Sequence, residues 1–316
     1  MNGISGIIFF GSKKINLYKE CELIQELKKR GQFIERYEDS ENISFSASYV
    51  DKSFIFSSEN FFINLSGRID NREEIKNSLS LTRDVSDQEL IILNFLKYGE
   101  KSFDMLAGAF SFLLFNKNSK EFFVVKDHLG LKPLYFYFKN GLFIYASEPK
   151  FIFLISQEKK ILNQSKLYDS ILRSEKNFHN TFYEGIYRLE RGELIKSNKS
   201  KINKVRYHYF QTPKYLEYDN EEECFEDFRN IFEKVISQQT SGIEKIGSAL
   251  SGGLDSTSVT RVLADKNNKD GNEKEIFSYS FQFTDLKENQ LKTTDEISYV
   301  NDAVALGGLS SRIIKI

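Results

Sequence analysis

The residues best placed to do chemistry lie at 248–257, where the sequence is Ser-Ala-Leu-Ser-Gly-Gly-Leu-Asp-Ser-Thr. A short apolar run, 246–250, enters this glycine-rich turn, and a run typical of a helix, 257–266, leaves it. That order predicts free backbone N–H groups and a helix N-terminus around one concave point, which suits an anion. No lysine follows the turn, so it differs from the Walker phosphate loop. The pattern predicts a phosphate site; the alternative is an ordinary strand–turn–helix connection.

Each residue type in this turn suggests a role. Gly252 and Gly253 allow close backbone approach and positive φ, and the hydroxyls of Ser251 and Ser256 add hydrogen-bond donors. We expect Asp255 to fix the loop through backbone hydrogen bonds, because two anions repel each other unless Mg²⁺ lies between them. Asp255 is therefore also the candidate Mg²⁺ ligand.

Other candidate contacts lie beside the turn. Leu250 and Ser280 stand at the ends of two predicted strands, where a doubly wound sheet places adenosine contacts. Asp295 and Glu296 begin the next predicted helix. A capping role is favoured for both acids, with a Mg²⁺ or substrate role as the alternative.

Composition narrows the setting. The chain has 316 residues and a formal net charge of -1, which predicts two domains and provides no basic field for nucleic acid or membrane. Cys21 and Cys224 lack metal or redox spacing, which indicates buried or idle thiols in a reducing compartment. The sequence contains no signal-peptide pattern and no 18-residue apolar run. We therefore expect a cytoplasmic protein.

The pattern of elements changes along the chain. Up to about residue 150 it consists mainly of β-branched and aromatic runs separated by turns, with two helices, which predicts antiparallel hairpins. Residues 161–210 have no clear period, and 212–220 is the predicted linker. A strong amphipathic helix at 221–239 then leads into alternating strands and helices, which predict a parallel sheet. We expect domains at 1–210 and 220–316.

Several segments before the phosphate turn carry a family resemblance. In chain order they are Leu65–Arg72, Ser86–Glu89, Asp127–Tyr135 (Asp-x-x-Gly-x-x-Pro-Leu-Tyr), Tyr145–Lys150 and Thr181–Gly192. Together with the Ser-Gly-Gly-x-Asp-Ser turn, they resemble the glutamine-dependent asparagine synthetases.

The resemblance implies a fold and an activity. The fold would be an α+β four-layer αββα sandwich of the class II amidotransferase type, followed by an incomplete α/β Rossmann-like ATP-pyrophosphatase domain. The activity would be that of an ATP- and Mg²⁺-dependent, amide-forming ligase. It would adenylate a small-molecule or peptide carboxylate, and ammonia or a substrate amine would then attack.

The same resemblance implies that glutamine hydrolysis is lost. The family's nucleophile is a cysteine directly after the initiator methionine, and here that position holds Asn2, whose carboxamide is no nucleophile. The family's oxyanion-site Asn-Gly becomes Ser66-Gly67, with a shorter hydroxyl donor. Asp87 matches the family's amine-binding aspartate, but an N-cap role is favoured for it. In lacking the cysteine the chain is similar to β-lactam synthetases and lasso-peptide cyclases.

Some alternatives stay open. A truncated or split-gene, non-catalytic nucleotide-binding or scaffolding protein is the second hypothesis, and a second polypeptide or a homodimer would complete the synthetase domain. His128 is expected to have a structural role in its turn. His179 and His208 are expected to be isolated, without acidic or cysteine partners at ligand spacing.

Overall fold

The computed structural model describes residues 3–10, 20–40, 43–49, 55–174, 177–198, 201–212, 216–271, 274–284 and 296–316. The chain divides into two compact units, Met1–Thr212 and Pro213–Ile316, which are described separately below.

The helices and strands are labelled in chain order. The helices are α1 Glu20–Lys28, α2 Arg72–Ser78, α3 Asp87–Tyr98, α4 Pro149–Ser156, α5 Gln164–Ile171, α6 Glu221–Gln239, α7 Leu254–Lys269 and α8 Ile297–Ala305, with a 3₁₀ turn at Gly99–Phe103. The strands are β1 Gly3–Phe9, β2 Phe33–Ser40, β3 Ile43–Tyr49, β4 Ile55–Ser57, β5 Phe61–Ile69, β6 Gly108–Asn116, β7 Phe122–Lys126, β8 Tyr135–Lys139, β9 Leu142–Ala146, β10 Tyr187–Arg188, β11 Glu193–Asn198, β12 Lys201–Arg206, β13 Lys245–Ala249, β14 Glu275–Gln282 and β15 Ser310–Lys315. None of the helices in these described ranges is long and apolar enough to cross a membrane.

Unit 1 contains two six-stranded antiparallel sheets. Their strand orders are β10-β8-β9-β1-β3-β2 and β12-β11-β7-β6-β5-β4. β1 lies in the interior of the first sheet, between β9 and β3. β5 and β6 are buried along most of their length, because apolar side chains alternate onto both faces and each face is covered.

Three apolar cores explain how these sheets are covered. The first joins the two sheets and includes Phe45 and Tyr145 from one sheet and Phe62 and Phe115 from the other. The second packs α2 and α3 against the outer face of the second sheet. The third packs α1 and α4 against the outer face of the first sheet. Each sheet therefore has helices packed against it, α1 and α4 on the first and α2 and α3 on the second.

Unit 2 is built on a three-stranded parallel sheet in the order β13-β14-β15. α6 and α7 share a small core with β13 and β14 through Ile236, Leu263 and Ile276. Leu250 packs with α8 in another. β15 is exposed along its length and pairs, among the described strands, only with β14.

Some elements differ from the prediction. β2, β11 and β12 and helices α2, α4 and α5 have no predicted counterpart. Their sequences are short or rich in charged residues, so their period is weak. α6 has its predicted bounds, but of its predicted apolar face Phe225 and Phe228 are 65% and 67% exposed, and Ile236 is buried.

Candidate functional site

The phosphate turn connects β13 to α7, as its sequence predicts. The Ser248 hydroxyl shares a 2.7 Å hydrogen bond with the buried Thr260 hydroxyl, which in turn donates to the Ser256 carbonyl. These bonds tie the strand to the first turns of the helix. Leu250 at the strand end is buried against Val300 of α8. The turn is therefore held from both sides by packed elements.

Two serines close the turn. The Ser251 and Ser256 hydroxyls lie 2.8 Å apart, and Ser256 also accepts the Ser251 backbone N–H at 3.1 Å. The Ser251 hydroxyl accepts the Gly253 N–H at 3.3 Å. The prediction that Asp255 fixes the loop is wrong, because in the described part of the chain the serine hydroxyls provide this bonding and Asp255 is exposed.

Gly252 is required by the shape of the turn. Its φ is +87°, and a Cβ there would lie 2.8 Å from the Glu296 carbonyl oxygen. Gly253 has an ordinary extended conformation, with φ -70° and ψ 159°. Gly252 therefore allows the left-handed backbone and the close approach to the start of α8. Gly253 is the N-cap of α7.

The start of α7 has donors available for an anion. Gly253 offers no side chain, so α7 begins without a side-chain cap, and the N–H groups of its first turn lack intrahelical partners. The Thr257 hydroxyl in this turn is buried without a hydrogen-bond partner among the described residues. Asp255 adds one exposed carboxylate, which fits Mg²⁺ bound by one carboxylate and phosphate oxygens. The geometry can hold a phosphate chain.

Ser280 and Glu296 are the other predicted contacts near the turn that the structure describes. Ser280 is buried, and its hydroxyl donates to the Leu250 carbonyl at 2.7 Å, so an adenosine contact for this pair stays a prediction. Asp295 lies outside the described residues. Glu296 occupies the N-cap of α8 but its side chain makes no capping hydrogen bond, so the predicted capping role is wrong for Glu296.

The residues that match the glutamine site lie on separate elements, just before β1, on β5 and on α3. Asn2 lies outside the described residues, so its predicted consequence stays a prediction. Gly3 donates its N–H to the Ser48 hydroxyl at 3.1 Å. Ser66 is buried on β5, and Gly67 has φ +132°, with the Ala109 carbonyl oxygen 2.0 Å from the position of a Cβ. Gly67 is therefore required for packing against β6, independently of any glutamine chemistry.

Asp87 is engaged by the protein itself. One carboxylate oxygen accepts the Ile69 backbone N–H at 3.0 Å, and the other pairs with the Arg72 guanidinium. Ser86 caps α3 by accepting the Glu89 N–H. The N-cap prediction for Asp87 is therefore wrong: Asp87 is the first helical residue, and its carboxylate joins the end of β5 to α2 and α3.

Cationic residues near the start of β1 were not predicted. The Arg30 side chain lies against Gly3 and pairs with Glu148. Burial, followed by the positive charges of Arg68 and Arg30, lowers the pKa of the Lys132 ammonium. Lys132 belongs to the Asp127–Tyr135 motif, but nothing in the sequence connects it with Arg30, which follows α1 a hundred residues earlier.

The Asp127–Tyr135 motif is a buried turn. The Asp127 carboxylate is fully buried and accepts the backbone N–H groups of Leu129, Leu131 and Lys132 at 2.9–3.1 Å. The backbone carbonyl of Asp127 also accepts from Gly192 at 3.0 Å. Asp127 therefore stabilises the turn, and the backbone of the adjacent His128 is fixed with it.

The predictions that His208 and His179 are isolated are wrong. His208 Nδ1 lies 2.7 Å from Asp104 Oδ1, and its ring stacks on His128 with centroids 3.8 Å apart. His179 lies 3.3–3.4 Å from carboxylate oxygens of Glu190 and Glu193. Sequence spacing could not reveal these partners of His208, because Asp104 lies 104 residues before it and His128 lies 80 residues before it.

The two cysteines lie on helices α6 and α1. Cys224 on α6 is free and exposed. Cys21 lies in α1, and its side chain is outside the described part of the structure.

Comparison with known families agrees with the motifs. Residues 1–208 match the glutamine amidotransferase domain family, and residues 227–314 match the asparagine synthase family. Asparagine synthetase (glutamine-hydrolyzing) 2 of Bacillus subtilis is 24% identical over 293 residues, which is 84% of this chain and 39% of the relative. Asparagine synthetase (glutamine-hydrolyzing) 3 of the same organism is 22% identical over 72% of this chain and 38% of the relative.

Among solved structures, the fold is similar to glutamine phosphoribosylpyrophosphate amidotransferase of B. subtilis. That similarity has a TM-score of 0.46 at 13% identity and covers 99% of this chain and 80% of the other. The chain spans about two fifths of the length of the curated relatives it matches. The resemblance inferred from the motifs is confirmed: the chain belongs to the glutamine-dependent asparagine synthetase family.

Proposed function

We propose that this chain is the ATP-binding part of an amide-forming ligase that activates a small-molecule or peptide carboxylate and uses ammonia or a substrate amine in place of glutamine. The observation that carries the proposal is the serine-closed turn before the uncapped N-terminus of α7. We further propose that unit 1 is of the class II amidotransferase type and that unit 2 is the N-terminal part of a Rossmann-like ATP-pyrophosphatase domain.

Each residue of the turn has a part in this proposal. The first-turn N–H groups of α7 would hold the β- and γ-phosphates, and Ser251 and Ser256 would keep the turn in shape and add hydroxyl contacts. Gly252 would let the backbone pass close to α8. Asp255 would hold Mg²⁺ against the phosphates. When bound, ATP supplies the activation of the carboxylate.

Loss of glutamine hydrolysis rests on two observations. The sequence has Asn2 where the family has its nucleophilic cysteine. The carboxylate of Asp87, which matches the family's amine-binding residue, is already paired with Arg72. A purified chain that released glutamate from glutamine at a family-like rate would contradict this part of the proposal.

The nucleotide part is tested by thermal unfolding with and without ATP and Mg²⁺. Binding to the folded state raises the midpoint by mass action. We expect ATP with Mg²⁺ to raise it in the wild type, and Asp255→Asn to remove the Mg²⁺-dependent part of the rise. An ATP-independent midpoint would contradict nucleotide binding.

The ligase part is tested by ATP–pyrophosphate exchange with candidate acids such as aspartate. The assay is run on this chain alone and beside a polypeptide that carries the remaining asparagine synthase sequence. Exchange in either arm supports the ligase. Protection by ATP without exchange in both arms favours the second candidate, a non-catalytic nucleotide-binding protein.

A partner that completes the domain is supported by uncovered apolar side chains within unit 2. They include Phe225 and Phe228 of α6 and Ile313 and Ile314 of β15, which are 41–67% exposed. We propose that a further asparagine synthase segment, or a second copy of the chain, packs on one of these two elements. Sedimentation velocity of the chain alone and of the mixture separates the two.

A further inference from the structure

The two-histidine cluster, formed by Asp104, His128 and His208, has the donor set of a transition-metal site. One carboxylate oxygen of Asp104 and one imidazole nitrogen from each histidine lie within 4.8 Å of one another. Nitrogen and carboxylate donors of this kind suit Zn²⁺ and its neighbours, which take three protein ligands and a water.

The His128 ring brings an unsatisfied nitrogen to the cluster. Its Nε2 is buried and has no hydrogen-bond partner among the described residues, and it lies 4.0 Å from Asp104 Oδ1. A neutral imidazole has one nitrogen with a free lone pair, and histidine commonly ligates metals through that nitrogen.

The distances are close to those of a bound ion. A tetrahedral Zn²⁺ with bonds of about 2.0–2.1 Å separates its ligand atoms by about 3.4 Å. The two measured separations from Asp104 Oδ1, 2.7 Å to His208 and 4.0 Å to His128, lie on either side of that value. The Asp104 side chain is 58% exposed and can adjust, and the stacked rings must tilt out of their parallel arrangement.

The cluster also has the right charge. No lysine or arginine pairs with Asp104 in the ranges that the structure describes, so its carboxylate is free to neutralise a cation.

A second histidine–carboxylate group in the same unit provides the contrast. His179 lies beside Glu190 and Glu193, but Arg206 pairs with both carboxylates and Lys204 contacts the His179 ring. Those cations already occupy the positions that a metal would need. This group is an ion-pair network, and it supplies matched control substitutions.

From this comparison we propose that Asp104, His128 and His208 bind one divalent ion of the Zn²⁺ class, with water as the fourth ligand. The ion joins the segment after the 3₁₀ turn, the Asp127 turn and the chain after β12. His208 is already held there by backbone bonding to Gly192.

The test is calorimetric titration of Zn²⁺ into the full chain, purified without a histidine tag and stripped with a chelator. We expect one equivalent to bind, and His128→Gln, His208→Gln and Asp104→Asn each to weaken binding by at least about tenfold. His179→Gln and Cys224→Ser should leave it unchanged. Co²⁺ in the same site should give the strong visible absorption of a tetrahedral ion.

Several results would overturn the proposal. These are no stoichiometric binding by the wild type, unchanged affinity in Asp104→Asn, or equal weakening by His179→Gln. Asp104→Asn keeps the test decisive if a histidine variant fails to fold, because the Asp104 side chain is 58% exposed and its replacement leaves no buried cavity. Circular dichroism of each variant checks that the fold is retained.

Discussion

Arg72 and Asp87 form an ion pair at the start of α3, and the same carboxylate accepts the Ile69 N–H at 3.0 Å. The Arg72 side chain also donates to the Val85 carbonyl. A residue that the sequence connects with amine binding thus joins β5, α2 and α3, and its presence in this chain needs no glutamine chemistry.

Replacing Asp87 should therefore affect stability. We expect Asp87→Asn to lower the free energy of unfolding by about 1–3 kcal/mol, because it removes the charge from a half-buried, doubly bonded carboxylate. Asp84 also pairs with Arg72, at 3.3 Å, but its side chain is 88% exposed. Asp84→Asn should cost at most about 1 kcal/mol. Urea unfolding measures both, and equal losses would contradict the assigned role.

Gly252 and Gly253 should respond differently to alanine. At Gly252 the positive φ and the contact with Glu296 both oppose a Cβ, so Gly252→Ala should destabilise unit 2 by about 1–3 kcal/mol and reduce stabilisation by ATP. At Gly253 a Cβ would have its nearest contact 3.4 Å away, at the Ser251 hydroxyl. Thermal unfolding with and without ATP compares the two. Similar behaviour would mean that the turn does not have the described shape.

Asp127 should be among the most sensitive polar positions of unit 1. Asp127→Ala leaves three backbone N–H groups without their acceptor, and we expect a loss of about 3 kcal/mol. Asn116 is the control, because its side chain accepts two backbone N–H groups in an exposed turn where water can replace it. Asn116→Ala should cost about 1 kcal/mol in denaturant unfolding. A smaller loss at Asp127 than at Asn116 would reverse the ranking.

Tyr145 should make the fold sensitive to alkali. Burial raises the pKa of its phenol, which also contacts Asn64 at 3.1 Å. Above pH 10 the unfolded chain releases this proton and the folded chain keeps it, so stability falls as pH rises, by up to about 1.4 kcal/mol per pH unit.

Unfolding between pH 9 and pH 11 checks this prediction. Tyr145→Phe should make the free energy of unfolding fall less steeply with pH, by the slope that corresponds to at most one proton. It should also lower stability at neutral pH, because it removes the contact with Asn64. Tyr299, which is 63% exposed, supplies the control substitution, Tyr299→Phe. If Tyr145→Phe kept the wild-type slope, the alkaline loss would come from other groups.

The elements that sequence predicts well are those with a strong local signal. α6 has its predicted bounds because a long amphipathic period and the Asn220 cap act together. The phosphate turn is predictable because glycines, serines and a strand–helix boundary are contiguous. β11 and β12 are missed because polar and charged residues interrupt their apolar period, and their pairing becomes clear only when β7 is beside them.

Prediction of the site from sequence fails where the local signal is weak. The residue types of Asp255 and Glu296 suit loop bonding and helix capping. In the structure, serine hydroxyls make the hydrogen bonds of the turn, and the start of α8 has no side-chain capping bond. Arg30 and the two-histidine cluster depend on contacts between distant segments. Local pattern contains no information on such contacts, so they can be found only in the folded chain.

The position of β1 has a consequence for how the protein is made. β1 is the first of the described strands, yet one of its two neighbours is β9, and the Ile4 N–H bonds to Ser147, 143 residues later. β1 can therefore be paired on both sides only after β9 has been synthesised, and its sheet is completed only when β10 follows. In unit 2 each strand pairs with the next one in sequence, so that sheet can grow as it emerges. Because contacts between distant residues form slowly, we expect the N-terminal unit to limit the folding rate of this chain.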